Sequence, residues 1–147
     1  NPNSIYLYDL LEHSDRNKQS WISWNYKIFY NITGDDSSFY YVNGTLNSNK
    51  IKQLSRTYPQ EVNGNITNFY FDPISGNFTL NYSPNLKNYR NEETIIYMNY
   101  QLYYQNGFNV SKSPKEVNYI FNNNRLKLNH NNVNNDTKVI NIIIYPN

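Results

Sequence analysis

The residues with the clearest potential for chemistry are two tryptophans in the segment "QSWISWNYKIFY". They are Trp21 and Trp24, the only tryptophans in the chain, and Tyr26 and Phe29 follow them closely. An indole can stack on a sugar ring or fill a hydrophobic core. If residues 20–28 form a strand, the odd spacing places the two indoles on opposite faces. Composition alone favours core packing for both, and a sugar platform formed by one of them is the alternative.

Other side chains that could do chemistry are scattered along the chain. His13 and His130 are far apart, and neither has a His or Cys neighbour at ligand spacing, so no metal site is predicted. The run "NHNNVNND" around His130 is typical of an exposed loop. The acidic pairs in "GDDSS" and at Glu92–Glu93 lack the spacing of a calcium loop and indicate a solvated surface. No phosphate-loop, dinucleotide or nucleophile-elbow motif is present, and no cofactor is expected.

The composition is that of a nearly neutral, aromatic-rich globular chain of about one domain. Its 147 residues include 13 Lys and Arg, 11 Asp and Glu, 16 Tyr and 7 Phe, but no cysteine that would indicate a redox compartment. The net charge of +2 forms no basic stripe, which argues against nucleic acid as a partner. No apolar run is long enough to span a membrane. The chain begins with Asn and shows no signal peptide, as expected of a mature form or an excised piece.

The acceptor pattern for N-linked glycans, N-x-[ST], occurs repeatedly. Five of the seven threonines stand two residues after an Asn, where random placement gives about one or two. This enrichment favours a glycosylated protein of the secretory pathway, secreted or lysosomal, over an Asn-rich codon bias. Asn81 also fits the pattern, but the Pro that follows its serine makes it a poor acceptor. The remaining glycosylation candidates are Asn31, Asn43, Asn65, Asn77, Asn109 and Asn135.

The first third of the chain has mixed helix and strand patterns. A helix is predicted from Ile5 to His13, with Ser4 as its N-cap and with Ile5, Tyr8 and Leu11 on one face. The apolar segment that contains both tryptophans is short and does not alternate, which is typical of a strand buried on both sides. The polar segment that follows it is predicted as a loop.

A second short helix is predicted before residue 59. Ser48 is its expected cap, Ile51, Leu54 and Tyr58 are its expected inward residues, and Pro59 is expected to end it.

After Pro59 the helical period disappears and short strands alternate with turns. The turn "DPISG" has a clear mechanism, since Pro fixes φ and Gly accepts a positive φ. This spacing predicts an antiparallel β-sandwich, so the fold class is mainly β with a helix–strand–helix head and a boundary near residues 57–64. The predicted strands are "ITNFYFD", "NFTLNYS", "TIIYM", "GFNVS", "VNYIF", "RLKLN" and "KVINIIIYP".

Two parts of the chain resemble glycoside hydrolase family 5, in particular its endoglycoceramidase-like members. "SWISWNYK" resembles the eighth strand of the family's (β/α)8 barrel, where a "W-x-x-W" supplies an aromatic platform for the sugar. The longer match begins at "LSRTYPQEVNGNITNFYFDPISGNFTLNYSPN" and continues through "EETIIYMNYQLYYQNGFNV", with Asn99 where a Pro is usual. In the segment that begins "LSRTYPQEVNG", the positions that carry the resemblance are Arg56, Tyr58, Pro59, Val62, Gly64, Phe69, Phe71, Asp72, Pro73, Ser75, Gly76, Phe78, Leu80 and Tyr82.

The resemblance implies that residues 1–58 are the C-terminal fragment of a (β/α)8 barrel and that residues 59–147 are a β-sandwich. Active sites of such barrels lie at the C-terminal ends of the strands. The resemblance therefore makes Trp24, which is nearer that end, the substrate-binding candidate, and places Trp21 between strand and helices. The family uses two glutamates and retains configuration. Both should lie upstream of this chain, because none of its own glutamates stands at the matching positions, so no catalytic residue is expected here.

Two functions follow from this reading. The first is the C-terminal portion of a glycosidase that cleaves the bond between sugar and ceramide, inactive without the rest of its barrel. The expected partners are then a glycosphingolipid or other glycoside, the remainder of the barrel, and transiently a membrane surface. The second is a non-catalytic carbohydrate- or lipid-binding sandwich. The helix–strand–helix head favours the first, because a free binding module has no use for it.

Overall fold

The computed structural model describes residues 2–29, 32, 38–87 and 92–147. The chain divides into two compact units, residues 1–55 and residues 56–147. The division falls slightly before the boundary at 58–59 expected from the sequence. None of the helices within the described ranges is both long and apolar enough to cross a membrane.

The described part of the first unit contains two helices. Helix α1 covers Pro2–Arg16 and helix α2 covers Ser48–Leu54. Helix α1 begins earlier than predicted because Pro2 suits the first turn, where its missing N–H is not needed. It also ends later than predicted. The chain leaves the helix through Lys18, which has a positive φ of 55°, and a hydrogen bond of 2.9 Å from Gln19 N to Ser14 O closes the last turn.

The predicted N-caps of both helices and one predicted inward residue of α1 are wrong. Ser4 lies inside α1, and Ile5 is exposed, whereas Leu11 and Asp15 are buried one turn apart. Helix α2 is capped by Asn47, whose side-chain oxygen accepts from Lys50 N at 3.2 Å. Serine and asparagine are nearly equivalent caps, so the sequence could not distinguish adjacent candidates.

The strand predicted over residues 20–28 is absent, because the described residues 17–29 contain no strand. A strand exists only where its backbone N–H and C=O groups meet those of a neighbouring strand. The part of this unit that the structure describes offers one isolated bridge, between Tyr40 and Leu46, and it does not involve this segment.

Within the described ranges, the second unit contains eight strands and one short helix. The strands are β1 (Tyr58–Glu61), β2 (Gly64–Phe71), β3 (Phe78–Pro84), β4 (Thr94–Tyr97), β5 (Phe108–Ser113), β6 (Asn118–Asn122), β7 (Arg125–Asn129) and β8 (Ile140–Pro146), with helix α3 (Tyr100–Tyr103) between β4 and β5. They form two antiparallel sheets, ordered β1-β4-β7-β6 and β2-β3-β8-β5. The predicted mainly β fold is confirmed.

The two sheets share one hydrophobic core. Alternate side chains point inward, so that Phe78, Leu80 and Tyr82 of β3 are fully buried. They pack in one cluster with Ile96 of β4 and Leu126 of β7 from the other sheet, among others. A sandwich of two sheets facing one core is the result.

All seven predicted strands are present, and β1 is an additional one. The sequence assigned its residues to a helix end and a domain boundary because Pro59 interrupts most regular structure. Pro59 is tolerated here because β1 lies at a sheet edge and pairs only with β4, opposite Ile96. Tyr58 is consequently exposed, and its ring lies 5.3 Å from that of Tyr97 on the neighbouring strand.

The turn "DPISG" joins β2 and β3 through Asp72. Its carboxylate accepts from Ile74 N at 2.9 Å and from the Ser75 hydroxyl at 2.6 Å, while Gly76 takes φ 78. Burial raises the pKa of Asp72, but these hydrogen bonds outweigh it and hold the pKa below its ordinary value. The turn is fixed by its own side chains.

The first residues of the sandwich are anchored beside this turn. Arg56 is buried, and its guanidinium donates to Phe71 O at 3.0 Å and lies 5.3 Å from the Phe71 ring. The hydroxyls of Thr57 and Tyr104 are 2.9 Å apart, and Tyr104 donates to Gly76 O at 2.8 Å. Burial raises the pKa of Tyr104 to about 12, so its hydroxyl keeps the proton that it donates.

Candidate functional site

The aromatic segment of the first unit holds the sequence-predicted site residue. Trp24 is 75% exposed and its neighbour Ile22 is 95% exposed, whereas Trp21 is half-buried. An indole with this exposure contributes little to a core and presents a flat apolar surface to solvent. Trp24 therefore has the accessibility that a sugar platform requires, and Trp21 is the better packed of the two.

Asn25 fixes the backbone directly after Trp24. It is 3% exposed, its side chain donates to Lys27 O, and the Trp24–Asn25 peptide bond is cis. The next residue is tied to the loop that follows, because Tyr26 O accepts from Phe39 N at 3.2 Å and from the Ser38 hydroxyl at 3.4 Å. The backbone that follows Trp24 is thus held by hydrogen bonds at Asn25 and Tyr26.

Tyr26 is the centre of an aromatic cluster. Its ring meets those of Phe39 and Tyr40 edge-to-face, at centroid distances of 6.0 and 5.5 Å. The hydroxyls of Tyr26 and Tyr40 are 3.2 Å apart. This hydrogen bond raises the pKa of Tyr40 above its ordinary value, because Tyr26 holds the proton in place. Edge-to-face pairs of this kind stabilise a cluster by about 0.5–1.5 kcal/mol each.

An open groove of about 320 Å³ lies beside the cluster. Its walls combine tyrosine hydroxyls, aromatic faces and apolar side chains, and Trp24 is not among them. A groove of this chemistry can accept hydroxyl groups and stack on a ring, but no carboxylate lines it in the described part of the unit. The residues that form it are Tyr26, Lys27, Ile28, Tyr40, Tyr41, Val42 and Gly44.

Sequence reasoning overlooked the contribution of Tyr40 and Tyr41. The segment that contains them is rich in Asn, Gly and Ser and was predicted as a loop, in which aromatic residues carry no periodic signal. The one available clue was the run "FYY", three aromatic residues in an otherwise polar stretch. The acidic pair in "GDDSS" lies outside the described residues.

The five glutamates of the chain all lie within the described ranges, on helix α1, on strand β1 or in the loops of the second unit. Glu12 lies on α1 and bonds Arg16 at 2.6 Å, and Glu93 bonds Lys127 at 2.9 Å. Glu61 belongs to edge strand β1, while Glu92 and Glu116 are exposed. Retaining glycoside hydrolysis needs two carboxyl groups about 5 Å apart on either side of the bond. None of these glutamates borders the groove beside Tyr26.

His130 was predicted as an exposed loop residue, and this prediction is wrong. It is fully buried, with Nε2 2.7 Å from the Tyr82 hydroxyl and Nδ1 3.3 Å from Glu92 O. Nδ1 must donate to the carbonyl, so Nε2 accepts the proton of Tyr82. Burial lowers the pKa of His130, and the bond to Glu92 offsets this only in part. Both side chains are fully buried, so the pair of His130 and Tyr82 is structural.

The glycosylation candidates within the described residues all have exposed side chains. Asn31 lies outside those residues. Asn43 accepts from Thr45 N at 3.0 Å and from its hydroxyl at 2.7 Å, so the two polar residues of that acceptor pattern already touch. The other described candidates are Asn65, Asn77, Asn109 and Asn135.

Relatives with similar sequences extend across both units. The chain is 32% identical over 114 residues to an endoglycoceramidase of Cyanea nozakii, and the aligned region covers 75% of this chain and 22% of that protein. It is 32% identical over 108 residues to an endoglycoceramidase of Hydra vulgaris, which covers 74% of this chain and 21% of that protein. The chain thus spans about a fifth of the length of these relatives.

Solved structures with a similar fold include an endo-glycoceramidase and a sterylglucosidase. Endo-glycoceramidase II from Rhodococcus sp. superposes with a TM-score of 0.69 at 14% identity, over 98% of this chain and 30% of that one. Sterylglucosidase 1 of Cryptococcus neoformans superposes with a TM-score of 0.77 at 17% identity, over 98% of this chain and 24% of that one. The profile of the glycoside hydrolase family 5 C-terminal domain matches residues 56–144, which form the sandwich. The chain therefore belongs to glycoside hydrolase family 5, as an endoglycoceramidase-like C-terminal region.

Proposed function

We propose that this chain is the C-terminal portion of a retaining glycosidase that hydrolyses the bond between sugar and ceramide in glycosphingolipids. The observation that carries the proposal is the extent of the likeness to endoglycoceramidases. It covers 75% of the chain, which is more than the second unit alone contains, so it extends into the first unit. A sandwich borrowed by an unrelated protein would be expected to match only in its own residues.

The first unit is, on this proposal, the last helix, strand and closing helix of a (β/α)8 barrel. Superposition on the solved glycosidases over 98% of the chain supports this, because it includes the first unit. The segment around Trp24 would complete its hydrogen bonds as a barrel strand only when the preceding barrel strands lie beside it. Its exposed apolar residues, among them Ile22, would then be covered by the rest of the barrel.

The catalytic glutamates would be supplied by the barrel upstream of this chain. One of the Rhodococcus structures holds a lactosyl-enzyme intermediate, which is the covalent species that retaining glycosidases form. Within the present chain, Trp24 would provide the stacking platform that positions the sugar at the cleavage site. The barrel fold places such residues at the C-terminal ends of its strands.

The substrate would be a sugar joined to a lipid, brought from a membrane surface. The two groups of solved relatives, by their names, act on glycoceramides and on steryl glucosides. The likeness in sequence is to endoglycoceramidases, which favours ceramide as the lipid part. An enzyme of this class would work in the secretory pathway, either secreted or in lysosomes.

The test is hydrolysis of a fluorescent glycosphingolipid by the full-length protein and by the present chain alone. We expect the full-length protein to release the labelled ceramide, and the chain alone to show no turnover above a vector control. A fluorescent steryl glucoside serves as the competing substrate. If the full-length protein preferred the steryl glucoside, the lipid part of its substrate would be a sterol and not ceramide. Turnover by the chain alone that is lost on mutating one of its own glutamates would contradict the placement of the catalytic pair.

A further inference from the structure

The two sheets of the sandwich present outer faces of different chemistry. On the β1-β4-β7-β6 sheet the outward residues include Lys127, which bonds Glu93 at 2.9 Å, and Arg125, which bonds Gln60 at 3.1 Å. On the β2-β3-β8-β5 sheet, the outward positions of the four strands are Asn, Ser, Thr, Tyr and one Ile. All of these positions are described, and none of them is charged.

Acceptor patterns for N-linked glycans lie on this uncharged face. Asn65 on β2 lies opposite Ser83 of β3, and Asn109 on β5 lies opposite Tyr145 of β8, all four at outward positions. Asn77 directly precedes β3 and continues its alternation, since Phe78 is buried. All three asparagine side chains are exposed. Residues i and i+2 of a strand share a face, so the regular alternation places Asn and hydroxyl together at Asn77–Thr79 and Asn109–Ser111. The charged face of the other sheet carries no such pattern.

Asn81 lies on the same face and provides an internal contrast. It also begins an N-x-S pattern, but its side-chain oxygen is buried and its backbone oxygen accepts from the Thr67 hydroxyl at 3.0 Å. It sits on the central strand β3, between Asn68 of β2 and Asn141 of β8. A glycan attached there would have to emerge from the middle of the sheet, between the neighbouring Asn68 and Asn141, whereas Asn65 and Asn109 lie on the two edge strands of the sheet.

We propose that the β2-β3-β8-β5 face is N-glycosylated at Asn65, Asn77 and Asn109 and left unmodified at Asn81. The proposal rests on the placement in the secretory pathway given above. In the transfer, Asn Nδ2 forms a bond to the anomeric carbon of an oligosaccharide carried on a lipid pyrophosphate. The anomeric C–O bond breaks, the pyrophosphate leaves with its electron pair, and Nδ2 loses one proton. Asn109 keeps a second N–H for its bond to Asn147.

Glycans on this face would prevent other proteins from binding closely to it. Three oligosaccharides spaced over both edges and one end of a four-stranded sheet hold other macromolecules away from it. The uncharged composition then has a reason, because neutral glycans rather than surface charges keep the face hydrated.

The experiment uses full-length protein purified from the cells that produce it. Enzymatic release of N-glycans in H₂¹⁸O converts each modified Asn to ¹⁸O-labelled Asp, and peptide mass spectrometry locates the label. We expect label at Asn65, Asn77 and Asn109 and none at Asn81. Label at Asn81, or its absence from any of the other three, would overturn the proposal.

Matched variants give a second readout in the same cells. Thr67→Ala, Thr79→Ala and Ser111→Ala should each raise gel mobility by one glycan step, whereas Ser83→Ala, which removes the pattern at Asn81, should cause no shift. The outcome also separates this proposal from the one it rests on. Glycans at Asn43 or Asn135 without any on the sheet would overturn the proposed face alone. Protein without any glycan would overturn the secretory placement and the glycosylated face together, while leaving the glycosidase proposal intact.

Discussion

Among single residues, Trp24 carries the most direct prediction about function. It is 75% exposed, and the backbone beside it is held by the buried Asn25. In the full-length enzyme we expect Trp24→Ala to lower kcat/KM by about 10- to 100-fold, because a sugar without its platform is poorly positioned for reaction. Hydrolysis of a fluorescent glycosphingolipid measures the effect.

Trp21→Ala is the matched control, because it removes the same side chain three residues away. It should keep the activity per folded molecule and lower the free energy of unfolding, by about 3–5 kcal/mol where the indole is packed. If Trp24→Ala retained the specific activity of the wild type, the platform assignment would be wrong.

His130 gives the sandwich a defined sensitivity to pH. Burial lowers its pKa in the folded state below the ordinary value of about 6.5. The unfolded chain therefore binds more protons than the folded chain as the pH falls through 6.5. The stability contributed by neutral His130 is complete above that pH and is lost progressively below it. The folded state of the sandwich should thus weaken between pH 7.5 and pH 5.

Urea unfolding of the chain at pH 7.5 and pH 5 tests this prediction. His130→Gln should be less stable at pH 7.5 by about 1–3 kcal/mol, because Tyr82 loses a well-placed partner. It should also lose less stability than the wild type on going to pH 5. His13→Gln, at an exposed position of α1, is the control for replacing a histidine outside the sandwich. Parallel pH curves for wild type and His130→Gln would refute the assignment.

At the scale of elements, the strands of the sandwich follow from local patterns. Strand β7 alternates buried and outward residues, as "RLKLN" predicts, and the turn at Asp72 is closed by residues within five positions of each other. Strand β1 escaped prediction because an edge position, which tolerates Pro59, is a property of the sheet and not of the segment.

Gly64, at the start of β2, is the least able of the described glycines to accept a side chain. Its φ is +140°, and a Cβ built there would lie 2.1 Å from the backbone oxygen of Ser83. Gly64→Ala should lower the free energy of unfolding by the sum of backbone strain, about 1–3 kcal/mol, and of overpacking, about 1–3 kcal/mol.

The matched control lies in the same sandwich. Gly107 also has a positive φ of +94°, but an added Cβ would meet only the end of the Asn147 side chain, which can move. Gly107→Ala should therefore incur the strain without the backbone collision. Urea unfolding of both variants measures the difference, and equal destabilisation would show that the approach to Ser83 is relieved at little cost.

At the scale of the whole molecule, the connection between the units is short and fixed to the sandwich. Only Ser55, Arg56 and Thr57 separate α2 from β1, and the side chains of Arg56 and Thr57 are buried and hydrogen-bonded. A flexible linker would be longer and rich in Gly and Ser. We therefore expect the sandwich to act as a brace on the barrel of the full-length protein.

Truncation of the full-length protein after Ser55 tests the brace. The expected result is an insoluble barrel or one with a lowered Tm, since an apolar surface would lose its cover. Soluble yield, Tm and hydrolysis of a water-soluble glycoside are the measurements. A truncated barrel that keeps its Tm and its activity on the soluble glycoside, and fails only on lipid in micelles, would instead identify the sandwich as a lipid-docking domain.

The sequence by itself determined the mainly β class, the seven strands after Pro59, the "DPISG" turn and the family, because each is written in local spacing and in residue types. The tertiary structure decided what distant residues do to one another. His130 is buried because Tyr82, 48 positions away, meets it across the core. The residues around Trp24 are no strand here, because a strand needs partners and none lies beside them in the described part of the unit. Burial and pairing are properties of the assembled fold, and a sequence pattern predicts them only when the partners are close along the chain.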